Sequence, residues 1–275
     1  VGLEVALAVA LVSFLLVLYV GWQRRRRLIR RLRGALDAQL AAYRSGDYEG
    51  QLRAIEGLKG TSFMRPGYLF LRGSALHQLG QLDEAAESIR ESLAMETDPH
   101  KKALCEDELG LVLLEQKRYA DAIACFERAI SDWPHRGRAH RAMAIALLRQ
   151  GEESAVALSW ARTAVQIDEA AEAVTPEGHD LNLAEALATL AWVISVDSAD
   201  AAEVDRLLAR AFTLCPETSR PVRANLHYHA GLACAALGKA EESAGHFERA
   251  VSVDPNGNFG RLAKAAQREA QTSAS

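Results

Sequence analysis

An all-α fold of stacked helix hairpins, preceded by one membrane-crossing helix, is what the sequence predicts, and three observations carry the prediction. The 275 residues are 49% hydrophobic, yet only 6% are aromatic and only 7 are proline. With alanine abundant, that balance suits close-packed helices better than strands, which want β-branched and aromatic side chains. Residues 3–22 form an apolar run with a single charge, Glu4. A stretch near the middle of the chain recurs near its end with the same residue offsets.

The apolar run comes first along the chain. Between Val5 and Val20 only Ser13 and the Tyr19 hydroxyl are polar, and about twenty helical residues cross a hydrocarbon core of about 30 Å. Tyr19 and Trp22 then fall where an amphipathic ring prefers the interface. Arg24, Arg25, Arg26, Arg27, Arg30, Arg31 and Arg33 follow the run rather than precede it. A cleaved secretory signal has the opposite order, so an uncleaved anchor is expected over residues 1–23, with a basic juxtamembrane segment at 24–33 that meets anionic headgroups. By the positive-inside rule the N-terminus lies outside and the remainder is cytoplasmic.

Net charge is −4 over the whole chain, but removing residues 1–33 leaves −10 for residues 34–275. An acidic body excludes nucleic acid as the expected partner, since binding it needs a distributed basic face. Cys105, Cys125, Cys215 and Cys234 make no CxxC pair, so they read as buried free thiols rather than metal ligands.

Residues 109–134 and 230–255 contain the same tetrad, Phe126-Glu127-Arg128-Ala129 and Phe247-Glu248-Arg249-Ala250. Leu109-Gly110, Leu113, Tyr119, Ala122 and Pro134 keep the offsets of Ala230-Gly231, Cys234, Ala240, Ser243 and Pro255. Less faithful units begin at 66 (Gly73, Leu76, Gly80, Ala85, Ile89), at 137 (Met143-Ala144, Gly151, Ala157, Ala161) and at 181 (Leu187-Ala188, Leu208, Ala211, Pro216). The unit at 181 is expected to have a long turn around Val196–Ala201. Residues 34–65 read as a degenerate hairpin turning at Gly46-Asp47-Tyr48. Residues 66–258 form the repeat array, interrupted by a surface insertion at 170–180 that ends on a helix capped by Asp180. Residues 259–275 supply a capping helix, with Phe259, Leu262 and Ala266 on its apolar side, and a tail.

On these residues the chain resembles the tetratricopeptide-repeat family, whose helix–turn–helix unit carries small residues where two helices approach and a proline at its end. The resemblance implies a right-handed superhelical solenoid. It also implies that Gly at the eighth repeat position admits helix B at a small residue, while the aromatic at position 24 shapes the contact with the next repeat. Helix A residues would line a concave groove: Phe70, Ser74, His77, Asp107, Leu111, Arg138, Arg141, Asn182, Glu185, Trp192, Asn225 and Tyr228. Of these, Phe70, Trp192 and Tyr228 are candidate anchors, and Arg138 with Arg141 could hold a carboxylate. The positions with which some members clamp a partner's C-terminus hold Phe70, Ser74 and Asp107 or Glu108, so only the Arg138 end matches.

No nucleotide loop, nucleophile elbow or metal motif is present. His227-x-His229 cannot share one helical face and reads as solvated or capping, and Glu106-Asp107-Glu108 reads as dipole-favouring acids at a helix start or turn. No enzyme, cofactor, metal or small-molecule substrate is therefore expected. The predicted function is a bacterial-type membrane-anchored scaffold whose groove recruits a protein or peptide and whose residues 3–22 meet the bilayer. The alternative is an envelope assembly or quality-control factor whose repeats face the outer, periplasmic side.

Overall fold

The computed structural model describes residues 2–59, 65–171 and 176–274, with side chains from Tyr19 onward except at 24, 31–32, 176–179 and 273–274. The described residues form thirteen helices in six antiparallel hairpins and a final helix. The hairpins are α1 (Gly2–Ser45) with α2 (Tyr48–Glu56), α3 (Arg65–Gln78) with α4 (Leu82–Met95), and α5 (Pro99–Glu115) with α6 (Tyr119–Asp132). They continue with α7 (Gly137–Gln150) and α8 (Ser154–Ala170), α9 (Pro176–Asp197) and α10 (Ala201–Leu214), and α11 (Arg220–Ala236) and α12 (Ala240–Val253), before α13 (Asn258–Ala274). The architecture is an all-α repeat solenoid.

Each hairpin turns by the same backbone device. An N–H just past the turn reaches a carbonyl five residues back: Asp47 to Ala42, Gln81 to Leu76, Arg118 to Leu113, Glu152 to Leu147, Ala199 to Ile194 and Lys239 to Cys234, all between 2.9 and 3.1 Å. That closure satisfies last-turn carbonyls and needs one residue in the left-handed region. Glycine supplies it at Gly46, Gly80, Gly151 and Gly238, but Lys117 (φ 62°) and Ala199 (φ 54°) adopt it with a side chain.

Within a hairpin, helix B sits on a glycine of helix A. A Cβ at Gly231 would lie 2.6 Å from Phe247 Cε1, one at Gly110 would strike the Phe126 ring, and one at Gly73 would lie 2.5 Å from Ile89 Cγ1. The residue at position 24 thus packs onto the glycine of its own repeat, while Phe126 also shares a cluster with Met143 of α7 and Phe247 with Ala263 of α13, the joint expected of that position. Four apolar clusters lie along the stack among the described residues. One joins α3 to α7 with Leu52 of α2 against it, a second joins α7 to α11, with Leu147 and Trp160 touching both, a third around Phe247 and Ala263 joins α11 to α13, and a small one of Ala103, Ala129 and Ala139 joins α5, α6 and α7.

Several boundaries differ from expectation. Helix α1 is continuous through residues 23 and 33, so the expected anchor, basic segment and first hairpin helix share one 44-residue helix. Among the described residues no helix is long and apolar enough to cross a membrane. The side chains of residues 1–18, which hold most of the apolar run, lie outside the description, so the membrane reading has no support from the described residues. Helix α9 begins at Pro176, which places Asp180 inside it rather than at its cap. The fifth hairpin keeps a three-residue turn, Ser198-Ala199-Asp200, and its extra length lies in the 22 residues of α9.

The solenoid curves until its end meets its beginning. Tyr48 donates a hydrogen bond to Asp254, Arg220 reaches the Ser45 carbonyl at 3.3 Å, and Arg261 reaches the His77 carbonyl at 3.2 Å.

Candidate binding groove

Helices α3, α5, α7, α9 and α11 present the inner wall, and the residues expected to line a groove are largely engaged with one another there. Asp107 is fully buried in the middle of α5, and its Oδ2 accepts from Arg136 Nε (2.8 Å) and Nη2 (2.6 Å). Glu108, 2% exposed, accepts from Arg138 and, at 3.0 Å, from His77 Nδ1. His77 Nε2 faces Glu115 Oε2 at 3.2 Å. Both ring nitrogens thus meet carboxylates, the arrangement of an imidazolium. Burial pushes His77 down, but the bonds to Glu108 and Glu115 outweigh it and bring the group up to about 9. Burial likewise opposes the charge on Glu108, yet Arg138 and His77 hold its carboxyl well below the usual range.

The second half of the wall is built the same way. Arg141 donates to Glu185 Oε2 (2.6 Å), and Asn225 Nδ2 donates to Glu185 Oε1 (2.7 Å). His229 donates from Nδ1 to Asn225, and burial followed by the charge of Arg141 lowers its pKa to about 3. Arg149 donates to the Tyr228 hydroxyl (2.7 Å) and lies over the Trp192 ring, 5.2 Å from its centroid. Trp192 and Tyr228 are buried, Phe70 and Leu111 are half-buried against the first cluster, Ser74 is half-buried, and Asn182 is exposed. At the seam, α1 adds Tyr43, whose hydroxyl is raised by burial and then by the charges around it, Glu185 first.

Three sequence readings are corrected here. Glu106-Asp107-Glu108 are buried mid-helix, bound to Arg128, Arg136 and Arg138, rather than acids at a helix start. His227 and His229 are buried rather than solvated or capping: His227 pairs with His246 Nδ1 at 3.1 Å, and His229 turns to Asn225 and Trp192. Arg138 and Arg141 do not offer open guanidiniums to a carboxylate, because Asp107, Glu108 and Glu185 already occupy them. Sequence reasoning did not single out Tyr43, Glu115, Arg136, Arg149 or Arg261. The signal available was that Arg136 and Arg138 stand at the start of the next repeat's A helix, 29 and 30 residues after Asp107 and Glu108, where adjacent A helices lie side by side.

The wall is therefore a chain of complementary charges carried from repeat to repeat, with aromatic rings toward its far end. Residues 108–172 match one tetratricopeptide-repeat model, and residues 66–99 and 224–256 match another. Over those residues the chain is similar to tetratricopeptide repeats.

No curated protein matches the chain. Among solved structures, the tetratricopeptide solenoid is similar to MamA 41-end from Desulfovibrio magneticus RS-1, at 19% identity over 67% of this chain and 94% of that one, with a TM-score of 0.46. It is similar to pilF of Pseudomonas aeruginosa at 13% identity over 86% and 98%, with a TM-score of 0.48. It is also similar to YrrB, described as a TPR protein with an unusual peptide-binding site, at 17% identity over 78% and 98%, with a TM-score of 0.42. At those similarities none of them bears on the partner or role of this chain.

Proposed function

We propose that this chain is a non-catalytic scaffold that holds a protein or peptide partner on the concave face of its repeats, close to a membrane. The observation that carries the reading is the inner wall itself. Five successive A helices line it, and although Arg141, Trp192 and Tyr228 are buried there, Phe70, Ser74, Leu111, Arg138 and Asn182 remain at least partly exposed. Such a wall is what a binding solenoid uses to read an extended or helical segment.

The membrane half of the reading rests on the apolar run at 3–22 and on the arginines after it. Arg25, Arg26, Arg27, Arg30 and Arg33 are exposed on α1, and Arg26 lies over the Trp22 ring. Exposed arginines beside an interfacial tryptophan suit anionic headgroups. In this reading residues 3–22 cross the bilayer, the N-terminus is outside and the repeats are cytoplasmic. Restriction to a surface would raise the effective concentration of the captured partner.

The test is a crosslinked pull-down from membranes with the full chain, using a version without residues 1–33 as control. Crosslinks confined to the outer B helices would overturn the concave face. Orientation is tested separately: a protease added to inverted vesicles that leaves residues 34–275 intact would overturn the cytoplasmic placement.

A further inference from the structure

Among the described residues the four apolar clusters link neighbouring repeats, and none reaches from α13 back to α1, α2 or α3. The seam that closes the ring is polar. Tyr48 donates to Asp254, Arg220 to the Ser45 carbonyl, and Arg261 to the carbonyls of Gln78 and His77 and, at 2.9 Å, to Glu115 Oε1. An open cleft of about 530 Å³ runs along it, lined by Gly46, Tyr48, Leu79, Asn256 and Lys264 among others. Each such bond exchanges for bonds to water on opening. An apolar joint exposes many buried apolar side chains together, whereas this one exposes chiefly Tyr48, His77 and Asp254. The seam is thus the joint that parts at least cost.

What Arg261 occupies is specific. Gly80, at φ +77°, is where the guanidinium lies against the turn after α3, since a Cβ there would fall 2.8 Å from Arg261 Nε. Around it stand the main-chain carbonyls of His77 and Gln78 and the Glu115 carboxylate, with the Asn256 carbonyl of its own segment at 3.4 Å. The nearest donor, His77 Nε2, is already turned to the other oxygen of Glu115. Two carbonyls and a carboxylate oxygen around one guanidinium fit a planar fork of N–H donors better than a compact ammonium. The adjoining Asn258 amide stands 3.4 Å from His77 Nε2. With His77 doubly protonated, that amide is satisfied when its oxygen faces the ring.

We propose that the closed ring is a resting form, that it opens at this seam, and that the cradle vacated by Arg261 then takes an arginine from a cationic segment of the bound partner. The proposal rests on the concave-face reading above and names the chemistry of its partner. Arg261 is in effect a ligand supplied by the chain itself, and a competing arginine needs only to displace it.

The test uses the full chain, wild type and Arg261→Ala, with labels on Arg53→Cys and Lys264→Cys. Arg261→Ala should widen the label separation while leaving the far-ultraviolet spectrum unchanged. A synthetic peptide copying residues 254–268 should bind Arg261→Ala at least tenfold tighter than wild type. Binding should fall at least tenfold when Arg261 of the peptide is alanine, its Arg268 being kept, or when Glu115→Gln is added to the opened chain. Unchanged separation, equal binding to both chains, or equal binding of the alanine peptide would overturn the proposal. So would concentration-dependent dimerisation of the wild type, which would make a second copy's final helix the occupant. Neither probe needs the natural partner. Loss of the peptide effect therefore overturns the cradle alone, and partner crosslinks confined to the outer helices overturn the concave-face reading alone.

Discussion

Replacing Gly231 by alanine tests whether the ring-on-glycine contact holds the hairpins together. The added methyl carbon would lie 2.6, 2.7 and 3.0 Å from Phe247 Cε1, Cδ1 and Cζ, where ordinary contact begins at 3.4 Å. The ring must retreat by about 1 Å, and it has little room to do so, because Phe247 is 5% exposed and packs among Tyr228, Ala250 and Ala263. Overpacking of this kind costs about 1–3 kcal/mol. Helix propensity acts in the opposite direction, since alanine inside a helix is favoured over glycine by about 1 kcal/mol. The expected net is a loss of about 1 kcal/mol, read as a lower urea midpoint at unchanged slope. Gly110→Ala should lose at least as much, because Phe126 is fully buried. Adding Phe247→Leu to Gly231→Ala should recover part of the loss, giving a coupling of about 1 kcal/mol in the double-mutant cycle. A gain in stability from Gly231→Ala alone, or additivity in the cycle, would refute the reasoning and leave propensity as the only effect.

Other outcomes follow from the inner wall and the turns. His77 titrates at about 9 in the folded chain against 6.5 unfolded. A raised folded value means its contribution is complete below about pH 6.5 and is lost as pH climbs through about 9, by on the order of 3 kcal/mol. Urea midpoints across that window should fall, and His77→Gln should flatten the curve. His227 and His229 are depressed, to about 4 and about 3, so their linkage runs the other way and removes stability as pH falls below 6.5. Arg138→Glu with Arg141→Glu should lower the melting temperature sharply. Each change strips a guanidinium from buried Asp107, Glu108 or Glu185 and adds like charge, and breaking one such pair costs about 3 kcal/mol or more. Lys117→Gly should raise stability by up to about 1 kcal/mol, read as a higher urea midpoint, because it removes a side chain from a left-handed position. All four cysteines are buried, and burial first of all raises Cys125 to about 12 and Cys215 to about 11. A thiol reagent should therefore label the native chain slowly and fully only in denaturant, so sidedness must be read from an introduced exposed cysteine.

The repeats were legible because each is defined by contacts a few turns apart. The pairing of Gly110 with Phe126 and of Gly231 with Phe247 appears as one spacing used twice. The left-handed turn residues were legible where glycine marks them, and not at Lys117 or Ala199, where the packing of the two helices imposes the conformation on a residue that disfavours it. The groove was legible as a set of positions but not as a state. Asp107 and Glu108 sit in a run of three acids that resembles a solvated helix start, and only the next repeat, bringing Arg136 and Arg138 alongside, makes them a buried ion-pair network. Trp192 and Tyr228 were read as anchors, and both belong to the wall, yet Arg149 covers one ring and binds the hydroxyl of the other.

By itself the sequence determined the repeat unit: its period, its turns, the glycine beneath each ring, and the apolar faces that make stacking favourable. These depend on interactions within one unit and its neighbour, which recurring residues record directly. Only the tertiary structure decided that the ends meet. Tyr48 and Asp254 are 206 residues apart, and Glu115 and Arg261 are 146 apart. No periodicity connects such pairs. They come together because small rotations between repeats accumulate along the stack, so the polar groups that close the ring are chosen by its curvature rather than by any local pattern.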